Sequence, residues 1–484
     1  MATKNITTLM AALCLSMGMG AQAEPAAAPA PAAKAQEGTA ALPWEESTAQ
    51  RDARMQWWRD AKFGMFIHYG IYSGLAGQYK GRKGGAEWIQ TNLGLSSREY
   101  AEEALPKFCP APGCTDQWAE LAKAAGCRYA VLTSKHHDGF GLFDSAQTDY
   151  CTGKTIKRDL VKEFADSFRS RGMKVGLYHS VIDWHHQDYD NTIPSRLPYP
   201  GNQAKELKEA GIPRNQESYI KYLHAQVREL CTKYGELSIL WWDYSNGQAE
   251  GERAWKAKEL MTMVHRLQPG IIMNNRLFAF NGLSADSDGT GLDPAKGDFI
   301  TPEKRVPASG FPDMDWESCM TVGNQWGYSV DDHGLKSPRT VISKLEECCA
   351  KGGNFLLNIG PKADGSVPED IVKVFHRVGD WMQVNSEAVY GSRGVLDLAG
   401  ATGFSGASRV GGTMYCFLPA EAKGKPASLP AAAIPAGCTA AILGQPACRV
   451  DMQQSGANVQ FTIPADAWDN AVENLPVLKL TPAK

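Results

Sequence analysis

Several short apolar runs in this chain end in residues able to do chemistry. One run, Phe66-Ile67, ends in His68-Tyr69-Gly70, and Glu87-Trp88 follow on the loop beyond it. Others end in Lys135-His136-His137-Asp138-Gly139-Phe140, in Tyr178-His179-Ser180, in Trp241-Trp242-Asp243 and in Asn275-Arg276. A carboxylate directly after Ile239-Leu240-Trp241-Trp242 is costly to bury unless it is used or paired. Each group also has a plain structural reading. His136-His137 could be a metal pair, though no third ligand stands at a sensible spacing. His68 could be a satisfied core histidine, Asp243 an ion-pair partner of Arg276, and Glu87-Trp88 an ordinary loop pair. What favours chemistry is that all of them fall at the ends of expected strands.

Those strands are Phe63–His68, Tyr129–Ser134, Lys174–His179, Leu237–Trp242, Ile271–Asn275 and Phe355–Ile359. Helical patterns lie between them: Leu160, Phe164 and Phe168 recur at i, i+4 and i+8, and Ser366-Val367-Pro368-Glu369 reads as a capping box opening a helix. Parallel strands joined by crossover helices, each ending in polar or aromatic residues, predict a (β/α)8-like barrel with its chemistry at the strand ends. Two barrel strands have no clear run. A doubly wound open sheet would alternate similarly, but no glycine-rich phosphate loop follows the first strand. Near Gly391 the pattern changes to short β-prone pieces, Thr413–Leu418, Ala440–Leu443 and Asn458–Ile463, which predict an antiparallel β-sandwich.

The chain has 484 residues, enough for more than one domain, and a formal net charge of −3. That balance provides no basic footprint for nucleic acid or an anionic membrane. Thirteen Trp and sixteen Tyr suit packing on sugar faces as well as filling a core. At the start, Lys4, the apolar run from Leu9 to Met19 and Ala21-Gln22-Ala23 read as a signal peptide cleaved before Glu24, which implies a secreted or periplasmic protein. The run is too short for a comfortable membrane span, and Leu13 stands before Cys14 where a lipoprotein signal wants a small residue. An Ala/Pro-rich linker follows. The expected layout is a signal peptide at 1–23, a linker at 24–42, the barrel at 43–391 and the sandwich at 392–484. Cys109 with Cys114 and Cys438 with Cys448 are close enough in sequence to pair, Cys348-Cys349 read as buried helix thiols, and the disulfide framework stays open.

The motifs resemble glycoside hydrolase family 29, the α-L-fucosidases, from Trp57 to Arg393. The matching stretches are Lys62-Phe63-Gly64-Met65-Phe66-Ile67-His68, Lys135-His136-His137-Asp138-Gly139-Phe140, Trp326-Gly327-Tyr328 and Gly352-Gly353-Asn354-Phe355-Leu356-Leu357-Asn358-Ile359-Gly360-Pro361. The resemblance implies a barrel with a C-terminal β-sandwich and an exo-acting, retaining α-L-fucosidase of the bacterial, broader-specificity branch. It implies fucosylated glycans as substrates, oligosaccharides and glycoproteins alike, with no cofactor and no metal. It makes Asp243 the nucleophile. It also places His68, Glu87, Trp88, His136, His137, Tyr178, Trp241, Arg276 and Trp326 around the sugar. The family's acid/base follows a Gly-Asp-Phe/Tyr-x-Thr-x-Glu stretch, here Gly297-Asp298-Phe299-Ile300-Thr301-Pro302-Glu303, which selects Glu303, with Glu317 of Trp316-Glu317 as the alternative. A catalytically silent fucose-binding protein on the same fold, or a related exo-glycosidase, stays open at this point. Linkage preference and oligomeric state are not legible.

Overall fold

Alternation with a period of two explains how the barrel is built. In the computed structural model, which describes residues 41–189, 211, 213–245, 251–278, 295–311 and 313–483, a parallel sheet holds β1 (Phe63–Ile67), β2 (Tyr129–Lys135), β3 (Lys174–Ser180), β4 (Ile239–Asp243), β5 (Ile272–Met273), β6 (Glu317–Thr321) and β7 (Asn354–Ile359). Their order is β5-β4-β3-β2-β1-β7-β6. Phe66, Tyr129, Val131, Tyr178, Ile239, Trp241, Ile272, Cys319 and Leu356 form the interior core. Their neighbours Met65, Ile67, Ala130, Leu132, Leu177, Leu240, Trp242 and Leu357 pack outward into the helix layer. One step beyond the interior apolar residues, the same parity delivers His68, Ser180, Asp243 and Asn358 to the C-terminal mouth of the barrel.

All six expected strands are present, shifted by a residue or two at their ends. Of the two that lacked a clear run, one is β6. The gap between β5 and β6 is spanned by an extended segment with single parallel bridges, Asn274 to Phe299 and Ile300 to Trp316. Asp298 anchors that segment: its Oδ2 accepts from the Met273 N–H at 2.8 Å and its Oδ1 from Arg54 at 2.7 Å.

Arg54 belongs to α1 (Thr48–Ala61), whose Met55 and Trp58 join the interior core and close the end opposite the mouth. Its first turn has a capping box, Ser47 with Gln50. Outside the sheet lie α2 (Cys114–Ala125), α3 (Leu160–Ser170), α4 (Gln216–Lys233), α5 (Ala257–Leu267), α6 (Pro338–Ala350) and α7 (Glu369–Asn385), with shorter helices between them. Leu160, Phe164 and Phe168 bury one face of α3, as their spacing predicts. The expected capping box at Ser366 does not form. Pro368, two residues past Ser366, holds the cap position of α7 without a side-chain bond, and the Ser366 hydroxyl instead closes a local turn by donating to Asp364 Oδ1 at 2.7 Å.

From Arg393 onward the chain is antiparallel. β8 (Arg393–Gly394), β9 (Gly406–Val410), β10 (Thr413–Phe417), β11 (Ala427–Pro430), β12 (Thr439–Ile442), β13 (Asp451–Ser455), β14 (Asn458–Thr462) and β15 (Val477–Thr481) form two sheets, β8-β9-β10-β15-β12 and β11-β14-β13. Met414, Cys416, Leu478 and Leu480 face the core shared with Leu429 and Phe461 of the smaller sheet, whereas Tyr415, Phe417 and Val477 face the helix layer. This is a TIM-like barrel followed by a β-sandwich. The signal-peptide and nearly all of the linker reading lie outside the described residues. Among the described residues no helix is long and apolar enough to cross a membrane. The described cysteines are free thiols, with Cys348 and Cys349 buried on α6.

Candidate active site

A cavity of about 150 Å³ opens at the C-terminal mouth of the barrel. It is lined by Phe66, His68, Trp88, His136, His137, Tyr178, Trp241, Asp243, Tyr244, Arg276, Glu303 and Trp326. Of the sugar-site residues expected from the sequence, only Glu87 stands outside this lining. Buried behind the wall, its Oε2 accepts from the Gly327 N–H at 2.8 Å and so holds the Trp326 loop, and burial raises its carboxyl above the usual range.

Asp243 is fixed through both oxygens. Arg276 Nη1 donates to Oδ1 at 2.7 Å, and the Tyr178 hydroxyl donates to Oδ2 at 2.8 Å. The same guanidinium reaches a second carboxylate, Nη2 to Glu303 Oε2 at 3.2 Å, while Trp326 Nε1 donates to Glu303 Oε1 at 3.2 Å. Arg276 itself is held by Thr301 Oγ1 and the Thr301 carbonyl, at 2.8 and 3.1 Å, over the Trp241 ring. Burial opposes its charge, but Asp243 and Glu303 together keep it above its ordinary range. Two carboxylates on one buried cation, both open to one cavity, are the parts needed for nucleophilic and acid/base work.

Histidines form the adjoining wall. His136 stacks on Tyr178, and His137 meets Ser180 Oγ through Nδ1 at 2.7 Å. Burial lowers His136 well below the usual range and brings His68 and His137 to about 3, with Lys135 and Arg276 adding to the effect on His137. All three are therefore neutral near pH 7. A register shift between Thr133 and Lys135 frees the end of β2, and the buried ion pair of Lys135 with Asp183, at 3.1 Å, pins it to the loop after β3. The glycine of Lys-His-His-Asp-Gly-Phe is required there: a Cβ on Gly139, whose φ is +81°, would sit 2.3 Å from Asp183 Oδ1. Gly360 plays a similar part after β7, where a Cβ would meet the backbone of Trp326–Tyr328 at 2.7–2.9 Å.

Sequence reasoning missed Tyr244 and Phe66 as lining residues. Tyr244 directly follows Asp243 with φ +79°, a left-handed conformation rare for a tyrosine and of the strained kind found at working sites.

Glu317 lies elsewhere. It starts β6 inside the barrel, fully buried, where its Oε2 accepts from Tyr129 at 2.5 Å and its Oε1 from Trp241 at 3.3 Å. Burial pushes its carboxyl up to about 7 from an unfolded value of 4.5. The folded chain then keeps a proton that the unfolded chain releases, so this group's contribution to stability falls as pH rises from about 4.5 to about 7. Glu317→Gln should be free of that loss. Its stability relative to the parent chain should improve by up to about 3 kcal/mol between pH 4.5 and pH 8 in denaturant titrations. An unchanged difference at the two pH values would contradict a protonated Glu317.

Comparison with known proteins identifies the family. The family model described as Alpha-L-fucosidase matches residues 30–387. Alpha-L-fucosidase isoenzyme 1 from Paenibacillus thiaminolyticus is 35% identical, with a TM-score of 0.78 over 90% of this chain and 100% of that one. An alpha-L-fucosidase from Bacteroides thetaiotaomicron, trapped as a covalent intermediate with 2-fluoro-fucosyl fluoride, is 25% identical with a TM-score of 0.73, covering 89% of this chain and 96% of its own. The curated alpha-L-fucosidase of Dictyostelium discoideum is 28% identical over 361 residues, 69% of this chain and 71% of that protein. With a match spanning the barrel and every one of its mouth residues, the chain belongs to the alpha-L-fucosidases of glycoside hydrolase family 29.

Proposed function

We propose that the chain is an exo-acting, retaining α-L-fucosidase in which Asp243 is the nucleophile and Glu303 the acid/base. The observation that carries this reading is the pair of carboxylates, Asp243 and Glu303, held by one guanidinium in one small cavity. In the first step the Asp243 carboxylate forms a bond to the anomeric carbon while Glu303 gives its proton to the departing glycosidic oxygen. In the second, Glu303 takes a proton from water as the water displaces Asp243, so configuration is retained after two inversions. Arg276 and Tyr178 orient the attacking carboxylate. The neutral histidines can meet sugar hydroxyls, and Trp241 and Trp326 can cover apolar parts of the ring.

The cavity has room for one ring, which supports removal of terminal fucose from fucosylated oligosaccharides and glycoproteins. Nitrophenyl α-L-fucoside should be hydrolysed, with other nitrophenyl glycosides left intact. Release from a different glycoside would make the chain a related exo-glycosidase, and release from none a silent binding protein. The broader-specificity reading fails if only branched oligosaccharides react. Export belongs to the same proposal, on the strength of Lys4, the apolar run and Ala21-Gln22-Ala23. The exported protein should begin near Glu24, and N-terminal sequencing that finds Met1 would overturn it.

A further inference from the structure

Two cavity histidines have partners that decide where each ring proton sits. The Ser180 hydroxyl oxygen is 2.7 Å from His137 Nδ1 and 2.9 Å from the carbonyl oxygen of Ile182. A carbonyl cannot donate, so the one hydroxyl hydrogen goes to Ile182 and only lone pairs face the imidazole. Both contacts are hydrogen bonds only when His137 donates from Nδ1. Asn358 imposes the same choice on His68. Its Nδ2 donates to the Trp326 carbonyl at 2.7 Å, which turns Oδ1 toward His68 Nδ1 at 2.7 Å. A reversed amide would set its oxygen against the Trp326 oxygen. Neutral rings protonated on Nδ1 have a bare Nε2.

We infer that Ser180 and Asn358 are positioning residues that fix His137 and His68 as Nδ1–H tautomers, so that both rings accept hydrogen bonds from sugar hydroxyls and neither donates. The inference rests on the fucosidase reading of the cavity. It has a consequence for the attacking group. His137 Nε2 is 3.7 Å from Asp243 Oδ2, the oxygen already bonded to Tyr178. Two acceptors facing one another leave that oxygen's remaining lone pair free. With the proton on Nε2, His137 would turn an N–H toward Oδ2 from 3.7 Å and draw on electrons needed for the bond to the anomeric carbon. The strand that supplies Tyr178 as a donor to Asp243 therefore also supplies, two residues on, the hydroxyl that prevents a competing one. Burial reinforces the arrangement by keeping His137 and His68 from protonating fully. Ser180 and Asn358 are themselves buried, so neither hydroxyl nor amide has bulk water as an alternative partner.

The test is the one-bond ¹H–¹⁵N coupling of labelled histidines in the full chain. In the parent protein His137 and His68 should each show hydrogen on Nδ1. In Ser180→Ala the His137 proton should move to Nε2, and kcat on an aryl α-fucoside should fall about 10–100-fold, a cost like that of removing the partner that orients a metal-binding histidine. Ser180→Thr keeps the hydroxyl and should restore both the Nδ1–H coupling and most of the rate. A parent protein with hydrogen on Nε2, or a Ser180→Ala protein that keeps it on Nδ1, overturns the inference. If Ser180→Thr does not fold, the couplings of the Ser180→Ala protein decide alone. The couplings are read without turnover, so failure of the fucosidase reading, seen as no hydrolysis by the parent protein, is distinguished from failure of this one.

Discussion

Asp243→Gly should cost turnover roughly 10⁴–10⁶-fold, the range seen when a member of a catalytic unit is removed. The fold should survive. Arg276 would keep Thr301 and Glu303 as partners, so no buried cation is stranded, although its Nη1 and the Tyr178 hydroxyl both lose their acceptor. Glycine at the last residue of a strand adds a backbone cost on the order of 1 kcal/mol, which the circular dichroism melting curve would register as a modest shift. Added azide should then restore turnover of an activated α-fucoside, because it fits where the carboxylate was and approaches the same face. Only one displacement remains, so the product should be the β-fucosyl azide. Activity near that of the parent chain, or an α-azide, would refute Asp243 as nucleophile.

The barrel and the mouth residues could be read from the sequence because each strand does two things over a few residues. It alternates apolar side chains between two cores, and then it breaks that rule with a histidine, tyrosine or aspartate. Trp241-Trp242-Asp243 is the clearest instance. β6 escaped because Glu317-Ser318-Cys319-Met320-Thr321 alternates without a long apolar run, and its buried Glu317 is satisfied by the distant partners Tyr129 and Trp241. The stretch around Phe299 escaped for a different reason. It joins the sheet by single bridges, and its anchor, Asp298, is explained only by Met273 and Arg54. Ser180 and Asn358 were in view as residues, but their roles were not. Their partners lie 43 and 290 positions away along the chain, distances that no local pattern reports. Tyr244 has a backbone signal alone, invisible in a list of side chains.

Glu303→Ala should separate the acid/base from its competitor. By ionisation alone Glu317 is the tempting choice, since burial holds it to about 7, near where a general acid works best. Geometry argues the other way. Glu317 has no exposed side chain, sits at the start of β6 and spends both oxygens on Tyr129 and Trp241, whereas the Glu303 side chain is 28% exposed and lines the cavity beside Asp243. A raised value produced by burial among apolar neighbours marks a stranded carboxyl as readily as a catalytic one. A general acid matters in proportion to the leaving group's need for a proton, so Glu303→Ala should slow natural fucosides by roughly 10²–10⁴-fold while sparing fucosylation of Asp243 by an activated aryl fucoside. The second step would still lack its base, so the fucosyl-enzyme should accumulate and be visible by mass spectrometry. Azide needs no base; it should discharge the intermediate and give the α-azide, with configuration retained. Glu317→Ala should instead lower stability without any azide rescue, because it leaves Tyr129 and Trp241 without acceptors inside the barrel. Rescue in Glu317→Ala and none in Glu303→Ala would exchange the two roles.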